Sequence, residues 1–94
     1  MEYYHTYILF SPEHGKYYIG HTQDVDKRLN EHNYISKKSY TSKYRPWELK
    51  VKLKFSNRSQ AMKAEKYLKK KPRHFLKKVI EDKGLQDYIL KKFG

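Results

Sequence analysis

The sequence predicts an α+β protein in which a small three-stranded, mostly antiparallel sheet is flanked by helices. Three observations predict it. Tyr3 to Phe10 is aromatic and β-branched, and the turn residues Ser11-Pro12-Glu13-His14-Gly15 separate it from a second extended run, Lys16 to Gly20. Trp47, Leu49, Val51, Leu53 and Phe55 then alternate with Glu48, Lys50, Lys52 and Lys54, a strand near residues 47–55 with one buried and one wet face. Capped segments of helical period fill the remainder.

The two extended runs form a hairpin. Asp24 caps a helix from about Val25 to Asn33, with Val25 and Leu29 on its inner side. A basic loop, Lys37 to Arg45, leads to the third strand. Ser56 or Asn57 starts a second helix that runs to about Leu68. Pro72 opens a third, which carries Phe75, Leu76, Val79 and Ile80 and stops near Gly84. Leu85 to Gly94 is expected to dock as a short helix through Tyr88, Ile89 and Phe93. Tyr3, Tyr4, Tyr67 and Tyr88 are expected to cover the small core. With no internal repeat or linker, residues 1–94 are read as one domain.

Lys and Arg number 22 against 10 acidic residues, a formal charge of +12, so the chain should attract polyanions. Nucleic acid is the leading partner class. The positives are spread along the whole chain and no apolar run reaches the ~20 residues of a spanning helix, which sets membranes aside. The absence of cysteine excludes disulfides and thiolate metal sites. No basic-then-apolar leader pattern stands at the start, and a cytoplasmic address is expected.

Tyr18-Ile19-Gly20 is followed at helical spacing by Arg28 and His32 and later by Glu65. Together they supply phenol, guanidinium, imidazole and carboxylate, the groups needed to cut a phosphodiester with one metal ion. Arg28 and His32, four apart, project from one side of the first helix, where a phosphate could meet both. A solvated polar face shared with Lys27 and Glu31 accounts for the same spacing. Glu65 falls inside the small and apolar stripe of Ala61, Ala64 and Leu68, so its carboxylate needs a partner: Arg28, a lysine such as Lys69, or a metal. If paired residues in the hairpin have numbers with an odd sum, the hydroxyls of Tyr7 and Tyr18 emerge on one face; an even sum separates them.

These residues resemble the GIY-YIG nucleases in their small stand-alone bacterial form. The likeness runs from about Tyr3 to Lys78 through Tyr7-Ile8-Leu9, Gly15 to Thr22, Arg28-Leu29-x-Glu31-His32-Asn33, Tyr40 to Tyr44, and Ala61-Met62-x-x-Glu65. It implies a divalent ion, Mg²⁺ or Mn²⁺, on Glu65 and a phosphate contact from Arg28. The first signature half reads His5-Thr6-Tyr7, keeping only its tyrosine. The asparagine some members carry after the glutamate has no match in Lys69-Lys70-Lys71-Pro72-Arg73.

The reading that follows is a metal-dependent DNA endonuclease. Its catalytic candidates are Tyr7, Tyr18, Arg28, His32 and Glu65. A free phenol has a pKa of about 10, so a tyrosine base needs help, here from His32 or Lys16. Tyr7 is the candidate base, with Tyr18 as the alternative. One carboxylate holds Mg²⁺ poorly, so the ion should be weakly bound without substrate. Lys16, Lys37, Lys38, Lys43, Arg45, Lys69, Lys70, Lys71 and Arg73 are candidate nucleic-acid contacts. No base-reading element is apparent, and structure-dependent or weakly specific cutting of branched, nicked or flapped DNA, in repair or recombination, is expected of a monomer or an oligomer alike. A binding module of the same fold without catalysis, and a basic ribonucleoprotein component, are the alternatives.

Overall fold

The computed structural model describes residues 3–35, 37 and 39–94. Strand β1 (Tyr4–Ser11) is central, with β2 (Lys16–Thr22) and β3 (Glu48–Phe55) antiparallel on either side, in the order β2-β1-β3. The hairpin closes where the amides of His14 and Gly15 both donate to the Ser11 carbonyl, at 3.2 and 2.7 Å. Gly15 takes the left-handed φ of 63° that this turn requires.

Both faces of the sheet are covered. On one, Thr6, Ile8, Ile19, Val51, Leu53 and Phe55 meet α2 (Arg58–Lys69), α3 (Arg73–Glu81) and α4 (Lys83–Phe93) in the main core. On the other, Tyr7, Leu9 and Trp47 pack with Tyr18, Leu29, Tyr44 and Leu49 beneath α1 (Val25–Asn30), the π-helical turn Glu31–Ile35 and the 3₁₀ turn Tyr40–Lys43. Ile8 and Leu9, adjacent in sequence, are both wholly buried, as a central strand covered on both sides requires.

The expectation of one buried and one wet face for β3 is corrected by a β-bulge. Ile8 pairs with Val51 but Leu9 pairs with Leu49, leaving Lys50 as an extra residue. The insertion inverts the side-chain alternation. Val51, Leu53 and Phe55 enter the main core, while Trp47 and Leu49 serve the smaller one. A period-two pattern read straight through the bulge places all five together.

Local signals account for the helix starts. The Asp24 carboxylate accepts from the Lys27 amide at 3.0 Å and Asn57 accepts from Gln60 at 2.9 Å. The backbone of Pro72 precedes α3. Gly84 does not end α3. Asp82 both terminates α3 and caps α4 by accepting from the Leu85 amide, so Gly84 lies in the first turn of α4. Tyr4 and Tyr67 pack on the core as expected. Tyr3 and Tyr88 stay about half exposed, and Tyr3 instead lies under the Lys54 ammonium at 4.0 Å.

Tyr7 pairs with Gly20 across the hairpin, and its ring occupies the space a side chain would take there. A Cβ on Gly20 would stand 2.5 Å from the Tyr7 hydroxyl and 2.8 Å from Cζ. Gly20→Ala should therefore destabilise the fold by about 1–3 kcal/mol, because the buried ring has nowhere to retreat. Urea unfolding of the single variant and of Gly20→Ala with Tyr7→Leu measures this, and the second change should recover part of the loss.

Candidate active site

The hairpin sets the floor. The paired positions sum to 27, an odd total, so Tyr7 and Tyr18 share a face. Tyr18 stands opposite Leu9, with its ring 6.4 Å from that of Tyr7. Because Gly20 carries no side chain, the Tyr7 phenol lies over β2 with its oxygen against the place a Cβ would take, and the residue is 2 % exposed. β2 is an edge strand, so its outer rim faces solvent.

Beneath the floor lies a short polar chain. Tyr7 Oη is 3.0 Å from His32 Nε2, His32 Nδ1 is 2.9 Å from Thr41 Oγ1, and Ser39 Oγ is 2.9 Å beyond that. His32 is 4 % exposed, and burial, with the Arg28 charge, pushes its pKa down to about 4. Its imidazole is neutral at pH 7. Burial, then the neighbouring Tyr18, pushes the Tyr7 phenol up to about 12, against the pull of the Arg28 guanidinium beside it. Tyr7 is therefore a firm O–H donor, and the neutral tautomer that satisfies the chain accepts at Nε2 and donates from Nδ1 to Thr41.

Arg28 and His32 do not present a common surface to a phosphate. His32 follows Val25 by seven residues, two helical turns, and so shares its buried side; Arg28 stands at the rim. The Arg28 side chain is about half exposed and donates to Glu31 Oε1 at 3.0 Å, and this carboxylate raises the guanidinium pKa further. Guanidinium and imidazole meet instead through the Tyr7 hydroxyl, one from the solvent side and one from below.

Glu65 reaches the same edge from the opposite face of the sheet. Ala61, Ala64 and Leu68 are wholly buried, and the carboxylate emerges beside them at the rim. Oε2 meets Lys69 Nζ at 2.6 Å and Oε1 meets His21 Nδ1 at 2.5 Å. Burial pushes its pKa up, but Lys69 and His21 outweigh it and hold the carboxyl below its ordinary value. Its bond to His21 ties it to the β2 position next to Gly20, over which the Tyr7 phenol lies. Among the partners expected for Glu65, Lys69 is present and Arg28 is not.

His21 escaped the sequence reading. It lies within the family-like segment Gly15 to Thr22 without a role there; its pairing with Thr6 on the α2 side becomes informative once the position of α2 is known. Thr41 and Asn33 were also missed. Asn33 clasps Trp47 by accepting from its amide at 2.6 Å and donating to its carbonyl at 3.0 Å, and the Trp47 indole donates to the Thr41 carbonyl at 2.8 Å. These bonds hold Asn33, Thr41 and Trp47 together over the second face of the sheet.

The candidate phosphate contacts divide. Lys37, Lys43, Lys69, Lys70 and Arg73 are exposed. Lys16 lies over the Tyr44 ring at 5.4 Å, at the opposite end of β2 from Gly20, so it is no helper of Tyr7. Lys71 lies over Tyr67 and Phe75 and is half-buried. Arg45 donates to the His32 carbonyl at 2.7 Å, which turns it inward as a brace of the loop. Lys38 lies outside the described residues.

The depressed His32 pKa makes stability depend on pH. The unfolded chain takes up a proton near pH 6.5 and the folded chain refuses it until about pH 4, so stability is present above 6.5 and falls as pH drops through that window. Between pH 7 and 5 the wild type should lose about 2 kcal/mol more than a His32→Gln variant. Urea unfolding at the two pH values measures it. His5, whose pKa burial and Lys52 also lower, acts in the same direction in both proteins and cancels.

The chain has relatives of similar size. It is 35 % identical over 79 residues to the UPF0213 protein BLi00048/BL00536 of Bacillus licheniformis, covering 84 % of this chain and 81 % of that protein. Its identity to YazA of Bacillus subtilis is the same, covering 84 % and 80 %. A protein of Halobacterium salinarum, VNG_2274C, is 35 % identical over 69 % of this chain and 83 % of its own length. The solution NMR structure of the UPF0213 protein BH0048 from Bacillus halodurans superposes with a TM-score of 0.55 at 29 % identity, covering 87 % and 86 % of the two chains. The family model of the GIY-YIG catalytic domain matches residues 3–78, which include Tyr7, Gly20, Arg28, His32 and Glu65, and the chain belongs to the GIY-YIG family.

Proposed function

We propose that this protein is a metal-dependent DNA endonuclease acting at the β2 edge, with residues 1–94 forming one catalytic domain. Membership of a nuclease superfamily supports the reaction class. What supports the residue roles is that the Tyr7 hydroxyl lies against Gly20 with the Arg28 guanidinium beside it, while Glu65 bonds His21, the residue after Gly20 on β2. A phosphate above this edge would face a hydroxyl oxygen whose hydrogen is committed to His32, a cation, and an anion that can hold a second cation.

Glu65 and His21 are the residues that would hold the metal. Among the described residues no group of three or more His, Cys, Asp or Glu side chains comes together, so the donor set suits a hard cation completed by water and phosphate oxygens. Such an ion supplies electrostatic stabilisation of the charge that grows on phosphorus-bound oxygens.

Arg28 orients the phosphate and meets the charge developing on a non-bridging oxygen. Tyr7 takes the proton of the attacking water while its own hydrogen passes to His32 Nε2, and Thr41 fixes the imidazole tautomer. Because the phenol is held above its ordinary pKa and the imidazole below its own, moving that hydrogen in advance is unfavourable, and the two transfers accompany the attack. Tyr18 lines the floor and orients water or phosphate. The exposed Lys37, Lys43, Lys69, Lys70 and Arg73 take neighbouring phosphates. No helix among the described residues is long and apolar enough to cross a membrane.

One observation favours a DNA-binding module without catalysis: both Glu65 oxygens are already engaged, by Lys69 and His21. The two readings separate in one experiment. Supercoiled plasmid and a panel of branched oligonucleotides are incubated with the protein in Mg²⁺ or in chelator. Nicking should require the metal; its absence on every substrate supports the module. Glu65→Ala should abolish nicking while DNA affinity changes less than about threefold, and parallel loss of both would contradict the catalytic role. Tyr7→Phe, which keeps the ring on Gly20, should slow cutting by about 10²–10⁴-fold. The logarithm of affinity should fall linearly with that of salt concentration, by about 0.9 per phosphate contacted.

A further inference from the structure

Beside the proposed hydrolytic edge lies a groove that shares Tyr18, Lys69 and Arg73 with the roles assigned above. It has a volume of about 340 Å³ and runs between the start of β2, the α2–α3 corner and the 3₁₀ turn. Lys16, Tyr17, Tyr18, Tyr40, Lys69 and Arg73 line it, and no carboxylate does. Two of these residues tie it to the site. Lys69 bonds Glu65 at 2.6 Å, and Tyr18 stands 4.9 Å edge-on from the His32 ring.

Its rings are held in place but not enclosed. Tyr40 is 46 % exposed, although its ring leans on Tyr44 at 4.9 Å and on Trp47 at 6.4 Å. It lies 26° from parallel to Tyr18, 6.3 Å away. Trp47 is in turn buried and clamped by Asn33, so the shelf under Tyr40 is rigid. Arg73 lies across the Tyr17 ring at 5.5 Å. Flat aromatic surface, cations on either side and room for about one nucleotide are what a base with its phosphate requires. A paired base in an intact duplex has both faces stacked and cannot use such a shelf. An uncharged peptide strand would bring no anion to Lys16 and Arg73.

We propose that this groove holds one unpaired nucleotide of DNA, its base on Tyr40 and its phosphate among Lys16, Lys69 and Arg73. Resting on the reading of the adjoining edge as the hydrolytic centre, that nucleotide is the neighbour of the phosphate to be cut. The preferred substrate therefore has single-stranded character at the cleavage point, as in a flap, gap or overhang, and the fold itself selects it without reading sequence.

Binding is measured with the full chain in chelator, so that nothing is cut. The probes are a blunt duplex, the same duplex with a flap carrying 2-aminopurine at the first unpaired position, and a flap abasic at that position. The flapped duplex should bind about 10-fold or more tightly than the blunt one, and the 2-aminopurine emission should be quenched on binding. Tyr40→Ala and the abasic nucleotide should each remove that advantage, and together remove no more than either alone. Tyr40→Phe should keep it. The proposal is overturned if Tyr40→Ala weakens blunt and flapped duplexes equally, or if the abasic flap keeps its advantage. Quenching with no cleavage of either the flapped duplex or the plasmid in Mg²⁺ sinks the hydrolytic reading and leaves the groove; cleavage without quenching does the reverse.

Discussion

The contact between Tyr7 and Gly20 governs the geometry of the site. An aromatic ring laid over a glycine in the neighbouring strand fixes the hairpin register, since a slip of one residue would send the ring to the other face and into the main core. It also determines how far the phenol extends. With any side chain at position 20 the hydroxyl would be displaced from His32, from Arg28 and from the edge where Glu65 arrives. A backbone constraint thus sets distances among groups from four separate elements.

The second constraint is the bulge at Lys50, which lets a three-stranded sheet carry two cores. A sheet this small with one wet face would leave Tyr7, Leu9 and Trp47 in solvent. Burying a tryptophan under a loop contributes on the order of 3–5 kcal/mol, judged by the cost of truncating one. Here that burial holds the segment that carries His32 and Thr41. Asn33 and the Trp47 indole supply the directional bonds, so the apolar contact gives the loop its stability and the polar ones its register. Packing and preorganisation of the His32 ring are one feature.

Electrostatically, the chain places a partly buried acid, Glu65, on a surface dominated by cations. The +12 charge draws in a polyanion from any direction. Glu65 is the exception at the rim, and its ion pairs with Lys69 and His21 prevent an uncompensated charge there. On the proposed reading, an arriving phosphate and cation would rearrange those same partners, the lysine turning to the phosphate and freeing the carboxylate, which accords with a donor set among the described residues too sparse to retain a metal alone.

The chain itself determined the elements and much of the chemistry. The aromatic hairpin, the caps at Asp24 and Asn57 and the stripe around Glu65 follow from local rules whose causes lie within a few residues. The family likeness, carried by Tyr18-Ile19-Gly20, Arg28 and Glu65, was legible for the same reason. What the sequence left undetermined depends on contacts between distant segments. The bulge is set by where β1 lies against β3, so an unbroken alternation concealed it. The partnership of His21 with Glu65 needed α2 to be laid along the β2 edge. The separation of His32 from Arg28, and the depth that keeps the imidazole neutral, arose only when the loop of residues 32–47 closed over the second face, because burial belongs to the assembled fold and to no segment by itself.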